Sequence, residues 1–364
     1  MDAPTQTRWF HLTPGRFVIG LLAVEGLLWL SDKFGWLGWH KGYAVLTGVA
    51  SVGVAMLLMI GWFGVAMVFR RRFQFSIRSL LVLTVVVALP CSWMAVEMKE
   101  ARQQREVIFA IENAGGTVHY HWEVDTDSRL LPNPGPPGPA PLRRLLGKDF
   151  LDAVVVVDLG KDFVTCGTGQ RFDPLPVSDA VLEQLVGLPQ FQRLGLRRRE
   201  IADAGFERIT ELDQLKEIDL SGTNVTNATL GRLRRLRCLE ELALMATQVN
   251  DDGLEQLKGL PHLRSLFLDG RRITDIGLKH LSRLPLLTTL GLELDSVSDA
   301  SIEYLKVLTE LRRLDLAGTQ LTDTGLEGLG CLAQLQELDL LGTKVTEDGI
   351  MTLQQALPNC EIVH

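Results

Sequence analysis

From Phe191 onward, apolar residues return on a period of 24 without a slip. The first apolar position of each unit is Phe191, Leu215, Leu239, Leu263, Leu287, Leu311 and Leu335. Around it the unit reads L-x-x-L-x-L-x-x-T-x-V-T-D-x-G-L-x-x-L-x-x-L. Positions 1, 4 and 6, as in Leu263, Leu266 and Leu268, predict a short strand with alternate side chains inward. Position 11 (Val225, Val249, Ile273, Val297, Leu321, Val345) takes the chain around a corner. Positions 16, 19 and 22, such as Leu254, Leu257 and Leu260, then have helical spacing. The residue at position 13 (Asp203, Asn227, Asp251, Asp275, Asp299, Asp323, Glu347) is read as the helix N-cap, accepting a bond from exposed amides. Each unit is therefore strand, corner, helix. Units of this kind bury their apolar side only against their neighbours, so the predicted architecture is an α/β solenoid. A parallel sheet would line its concave face and helices its convex face.

Threonine at position 9 (Thr223, Thr247, Thr319, Thr343) adds a column whose hydroxyls are expected to bond neighbouring turns, broken at Arg199, Arg271 and Asp295. Strand, corner, T-D-x-G-L turn and helix together resemble the leucine-rich repeat, over residues 149–364. The turn is similar to that of bacterial leucine-rich-repeat proteins and of the substrate-binding repeats of F-box proteins. No F-box precedes the repeats here; apolar runs do. The chain thus resembles bacterial membrane-anchored leucine-rich-repeat proteins, a group largely without assigned functions. That resemblance implies binding rather than catalysis, and no cofactor. The ends are irregular, as caps should be. Val154 to Leu159 reads as a first strand and Val177 to Leu188 as its corner and helix, with a loop containing Cys166 inserted between them. Cys360 to Val363 reads as a closing strand.

The first hundred residues follow a different pattern. Gly42 to Phe69 runs for 28 residues without a charge, and Ser79 to Val96 for 18. About 20 apolar residues span a bilayer core, so both are expected to cross a membrane. Phe17 to Leu30 is a weaker third run that carries Glu25. No small-x-small cleavage site follows it, so it reads as a membrane segment rather than a signal peptide. Residues 1–98 are accordingly a membrane region with candidate transmembrane helices 17–38, 42–69 and 79–97, two or three of them crossing. Arg70, Arg71, Arg72 and Arg78 lie between the second and third runs and are expected to stay cytoplasmic. The repeats would then be extracytoplasmic, on a multi-pass protein of the cell membrane.

Residues 99–130 read as a helix-strand connector: a helix to Asn113 ended by Gly115 and Gly116, then an alternating strand, Thr117 to Val124. Pro132 to Pro141 holds six prolines in ten residues, so residues 131–148 form a stiff linker. The net charge of −7 argues against a nucleic-acid partner. Cys91, Cys166, Cys238, Cys331 and Cys360 have no metal-site or disulfide spacing. His119 and His121 lack a third ligand beyond Glu123, and the pair Cys238 and His262 lacks an orienting acid, so neither a metal nor a catalytic site is assigned.

The candidate site is on the sheet. Met245 and Phe267 are apolar at positions expected to face water, flanked by Glu241, Arg264 and Asp269. An exposed aromatic ringed by charges is the composition of a binding hot spot. The expected partners are a protein or envelope component on the concave face and the lipid bilayer around the anchor. A transmembrane receptor, with Glu25 coupling ligand to a membrane partner, and an intracellular adapter of reversed topology are the competing readings.

Overall fold

The computed structural model describes residues 77–124, 131–132, 152–160, 177, 179–186, 188, 190–201, 203–269, 272–293 and 296–364. Within these, the side chains of 77–87, 89–91, 93, 179 and 203–204 fall outside the description. The chain divides into two compact units, Met1–Arg105 with Pro132–Asp152, and Glu106–Leu131 with Ala153–His364. In the first, the described chain is largely α1 (Ile77–Asn113) up to Arg105, where the Gln104 amide donates to the Asp152 carbonyl at 2.8 Å. The expected spans 17–38 and 42–69 lie outside the described residues. The third, 79–97, falls in the part of α1 where most side chains do. Among the described residues no helix is long and apolar enough to cross a membrane.

The second unit is built on one ten-stranded sheet whose strands follow each other in chain order. They are β1 (Thr117–Tyr120), β2 (Val154–Asp158), β3 (Arg193–Gly195), β4 (Glu217–Asp219), β5 (Glu241–Ala243), β6 (Ser265–Asp269), β7 (Thr289–Glu293), β8 (Arg313–Asp315), β9 (Glu337–Asp339) and β10 (Glu361–Val363). From β3 to β9 every strand is parallel to the next, and Leu194, Ile218, Leu242, Leu266, Leu290, Leu314 and Leu338 stand in register. All seven are at most 1% exposed, so position 4 is the spine of the core. The closing strand is present: β10 pairs in parallel with β9.

The other end differs from expectation. β1 pairs antiparallel with β2, and Val107, Ile108, Ile111 and Tyr120 are buried in the same apolar cluster as the repeats. The residues read as a helix-strand connector therefore supply the first strand of the sheet and cover one end of its core. The strand also stops at Tyr120. His121–Glu123 is a turn, in which Glu123 caps the Tyr120 amide at 2.9 Å and the Tyr120 and Trp122 rings stack.

Arg199 explains one break in the threonine column. It is 4% exposed, donates to the Leu159 carbonyl, and reaches the Ala114 carbonyl at 3.2 Å just past α1. Burial lowers its pKa, an effect that Asp158 opposes. Where threonine is present, its hydroxyl bonds the carbonyl three residues back in its own unit, as Thr223 does to Leu220 at 2.6 Å and Thr319 to Leu316 at 2.7 Å. The expected bonds to neighbouring turns are not made by these hydroxyls.

The helix side corrects the role of position 13. The N-cap is position 12: the hydroxyl of Thr274, Ser298 or Thr322 accepts from the amide two residues on, and Asn250 does so with its amide oxygen. These residues precede α5 (Asp251–Leu254), α6 (Asp275–Leu278), the helical stretch leading into α7 (Ile302–Leu305), and α8 (Asp323–Leu329). (Upstream, α2, α3 and α4 are Asp179–Leu185, Asp203–Ile209 and Asn227–Arg232; α9, at the far end, is Glu347–Ala356.) The aspartate after the cap instead reaches into the next unit. Asp299 accepts the Thr322 amide at 2.8 Å with one oxygen and the Thr322 hydroxyl at 2.6 Å with the other. Asp251 with Thr274, Asp275 with Ser298 and Asp323 with Thr346 repeat the arrangement, while Asn227 with Asn250 replaces it by an amide pair. The glycine of the motif makes room for it: a Cβ on Gly277 would collide with the Asp251 carboxylate, and one on Gly325 with Asp299. T-D-x-G is thus an inter-unit ladder.

Candidate functional site

The sheet face opposite the helices is where side chains vary. Positions 4 and 6 point into the core, so positions 3, 5 and 7 point out of it. Position 5 in register order is Gly195, Asp219, Ala243, Phe267, Gly291, Asp315 and Asp339. Position 7 is Arg197, Ser221, Met245, Asp269, Glu293, Ala317 and Leu341.

At the β3–β4 end the charges on these rows are matched. Arg197 meets Asp219 at 2.8 Å, and Arg193 meets Glu217 at 3.1 Å. In the middle the face is apolar. Phe267 stands between Ala243 and Gly291, and its ring edge fills the space that a Cβ on Gly291 would occupy. Ala243 beside it is 7% exposed, while Phe267 and Met245 stay half-buried. Beyond this step come carboxylates on four successive strands, Asp269, Glu293, Asp315 and Asp339. Asp315 and Asp339 each turn one oxygen onto the amide two residues on, at 2.9 Å, and Asp269 accepts the Ala246 amide. Glu293 shows the electrostatic consequence: partial burial, then the charges of Asp315, Asp269 and Asp339, raise its pKa.

A left-handed residue stands at position 8 after β3, β4, β5, β8 and β9: Gly222, Gly318 and Gly342, and, each with a Cβ, Arg198 at φ of 57° and Ala246, next to Met245, at φ of 52°. For an L-residue that conformation costs about 1–2 kcal/mol.

Of the residues expected at the site, Met245, Phe267 and Asp269 fall together. Glu241 and Arg264 lie at the opposite ends of their strands, where Arg264 leans toward Glu240 at 4.0 Å. Charged residues near Phe267 in sequence are thus separated along the strand. Glu293, Asp315 and Asp339 were not among the expected site residues: they stand at positions 5 and 7 of successive units, one to a unit, and the reading of those rows followed the exposed apolar pair Met245 and Phe267 instead.

No group of metal-binding side chains occurs among the described residues. His119 lies 3.7 Å from Glu123, and His121 is exposed in the turn. Cys238 and His262 are both exposed. A groove of about 340 Å³ on the helix side, between α8 and α9, is lined by Asp323, Glu327, Asp348, Thr352 and Leu353 among others. Its ionisable groups are the carboxylates of Asp323, Glu327 and Asp348, with no histidine, lysine or cysteine in the lining.

Comparison with known proteins places the repeat. Residues 307–330, a stretch one unit long, match the family described as Leucine Rich repeat. No curated protein matches the chain. Among solved structures, a leucine-rich-repeat protein of Leptospira interrogans is similar at 23% identity and a TM-score of 0.39, over 50% of this chain and 45% of that one. An internalin of Listeria monocytogenes is similar at 20% identity and a TM-score of 0.38, over 50% of this chain and 56% of that one. The chain therefore spans about half the length of each. With one unit matched, and strand, corner and helix returning every 24 residues along a single sheet, the repeats of this chain are leucine-rich repeats.

Proposed function

We propose that the protein is a membrane-anchored interaction module that presents the open face of its repeat sheet to a protein partner outside the cytoplasm. Leucine-rich repeats as a class serve protein–protein interaction. The observation that carries the face assignment is the contrast between rows. Positions 4 and 6 stay apolar in every unit, whereas positions 5 and 7 change from unit to unit around a half-buried Phe267. A row free to vary on a rigid frame is what a binding surface requires. The anchor is supported by the uncharged runs 42–69 and 79–96, and the orientation by the arginines between them.

Cys238 and Cys331 are exposed free thiols in the repeats, which makes the topology measurable. In the full chain carrying no other cysteine, a membrane-impermeant maleimide should label Cys331 on intact cells whose outer layer has been opened. The chain should stay in the pellet after an alkaline wash. Labelling confined to inverted vesicles would put the repeats and their partner in the cytoplasm. Release by the alkaline wash would remove the anchor.

A further inference from the structure

Resting on the face reading above, we infer that the partner presents an extended segment bearing lysine or arginine side chains, which crosses the strands from Phe267 toward Asp339. The track has two parts. Its apolar part is Phe267 with Met245, on β6 and just after β5. Its charged part is Asp269, Glu293, Asp315 and Asp339. Arg193 and Arg197 at the β3–β4 end are spent on Glu217 and Asp219, and Arg313 on β8 is spent on Glu337 at 2.6 Å. Hydrogen bonds to neighbouring amides occupy one oxygen each of Asp269, Asp315 and Asp339, and they leave the negative charge in place. Burial first, and then the charges of Asp315, Asp269 and Asp339, raise the pKa of Glu293, as expected of carboxylates crowded on one face. An incoming cation relieves that repulsion; an anion adds to it.

A further polar group points onto the same face. Ser221, at position 7 beside Met245, is 4% exposed and its hydroxyl has no hydrogen-bond partner. A buried hydroxyl left unpaired is costly, and a ligand backbone that displaces its cover beside Met245 would supply the missing partner. The spacing sets the register of the segment. Strands lie about 4.8 Å apart, so Phe267 to Asp339 is roughly 14 Å, the length of about four extended residues. An apolar side chain seated on Phe267 thus places the side chain four residues on over Asp339, and the one two residues on between β7 and β8, beside Glu293 and Asp315.

The test is selection of a randomised dodecapeptide library on the full chain in lipid nanodiscs. Enriched peptides should carry an apolar residue followed within four positions by lysine or arginine. Their affinity should fall about tenfold in the triple variant Glu293→Gln, Asp315→Asn, Asp339→Asn, three weak surface charge contacts together being worth that much. Asparagine keeps an oxygen for the Ala317 and Leu341 amides, so a melting temperature that does not fall shows that the frame is intact and only charge was removed. Peptides lost with Phe267→Ala but not basic, or indifferent to the triple variant, would overturn the basic partner and leave the face reading standing. Binders indifferent to both changes would overturn both. Failure to enrich any peptide would overturn the basic segment.

Discussion

Two columns of carboxylates recur along this solenoid, and they are used in opposite ways. On the helix side, Asp251, Asp275, Asp299 and Asp323 each place both oxygens on the Thr or Ser that starts the next helix. On the sheet face, Asp269, Glu293, Asp315 and Asp339 face one another. One residue of each set shows the difference. Bonds from the Thr346 amide and hydroxyl lower the pKa of Asp323, whereas burial and neighbouring charge raise that of Glu293. The ladder column holds the stack together. The face column strains it, and strain of that sign is relieved by a cationic partner. A column whose residue type hardly changes from unit to unit marks the frame, and one that changes marks the surface offered to others.

The largest effect should come from cutting a rung. Asp299→Ala strands the Thr322 amide and hydroxyl, and should cost about 1.5–3 kcal/mol in urea unfolding, the worth of hydrogen bonds to a charged group. Gly277→Ala is a sharper probe because its sign is unusual. Alanine normally favours a helix by about 1 kcal/mol, yet here the Cβ meets Asp251 and a loss of about 1–3 kcal/mol is expected. A gain would mean that the rung is loose. Ala246→Gly should raise stability by about 1 kcal/mol, less the added freedom of the unfolded chain, by relieving the left-handed turn beside Met245. Glu293→Gln should have the smallest effect and a distinctive pH dependence. With its folded pKa raised, the favourable contribution of Glu293 is present below its unfolded value and lost as the pH climbs through the folded one. Glutamine should therefore raise the melting temperature at pH 7 and give no advantage in acid. A benefit that grows on acidification would contradict the repulsion. Asp323 has the opposite sign: its contribution is present above the unfolded pKa and lost as the pH falls through the lowered folded one.

The repeat, its register and its closing strand were legible because an apolar period of 24 has one structural solution. The role of position 13 was misread for a specific reason. Asp251 sits one residue after its cap, and within a single unit an acid in the first helical turn looks like a capping group; the Thr274 that it bonds lies 23 residues away. The end cap was missed for a similar reason. Val107, Ile108 and Ile111 are too few to announce a core, and the residues that tie their segment to it, β2 and Arg199, lie far along the chain. At the site, Phe267 stood out as an aromatic where polar residues were expected. Its acidic neighbours are spread over four units, and Arg264, adjacent in sequence to the strand that carries Phe267, turns to Glu240 instead.

The most direct test places a photoreactive benzoylphenylalanine at Phe267 on the sheet face or at Ile276 on the helix side, which is 63% exposed, in cells making the full chain. Irradiation should give a discrete protein adduct from position 267 and none from 276. An adduct from 276 alone would put the partner on the helix side and contradict the assignment of the sheet face.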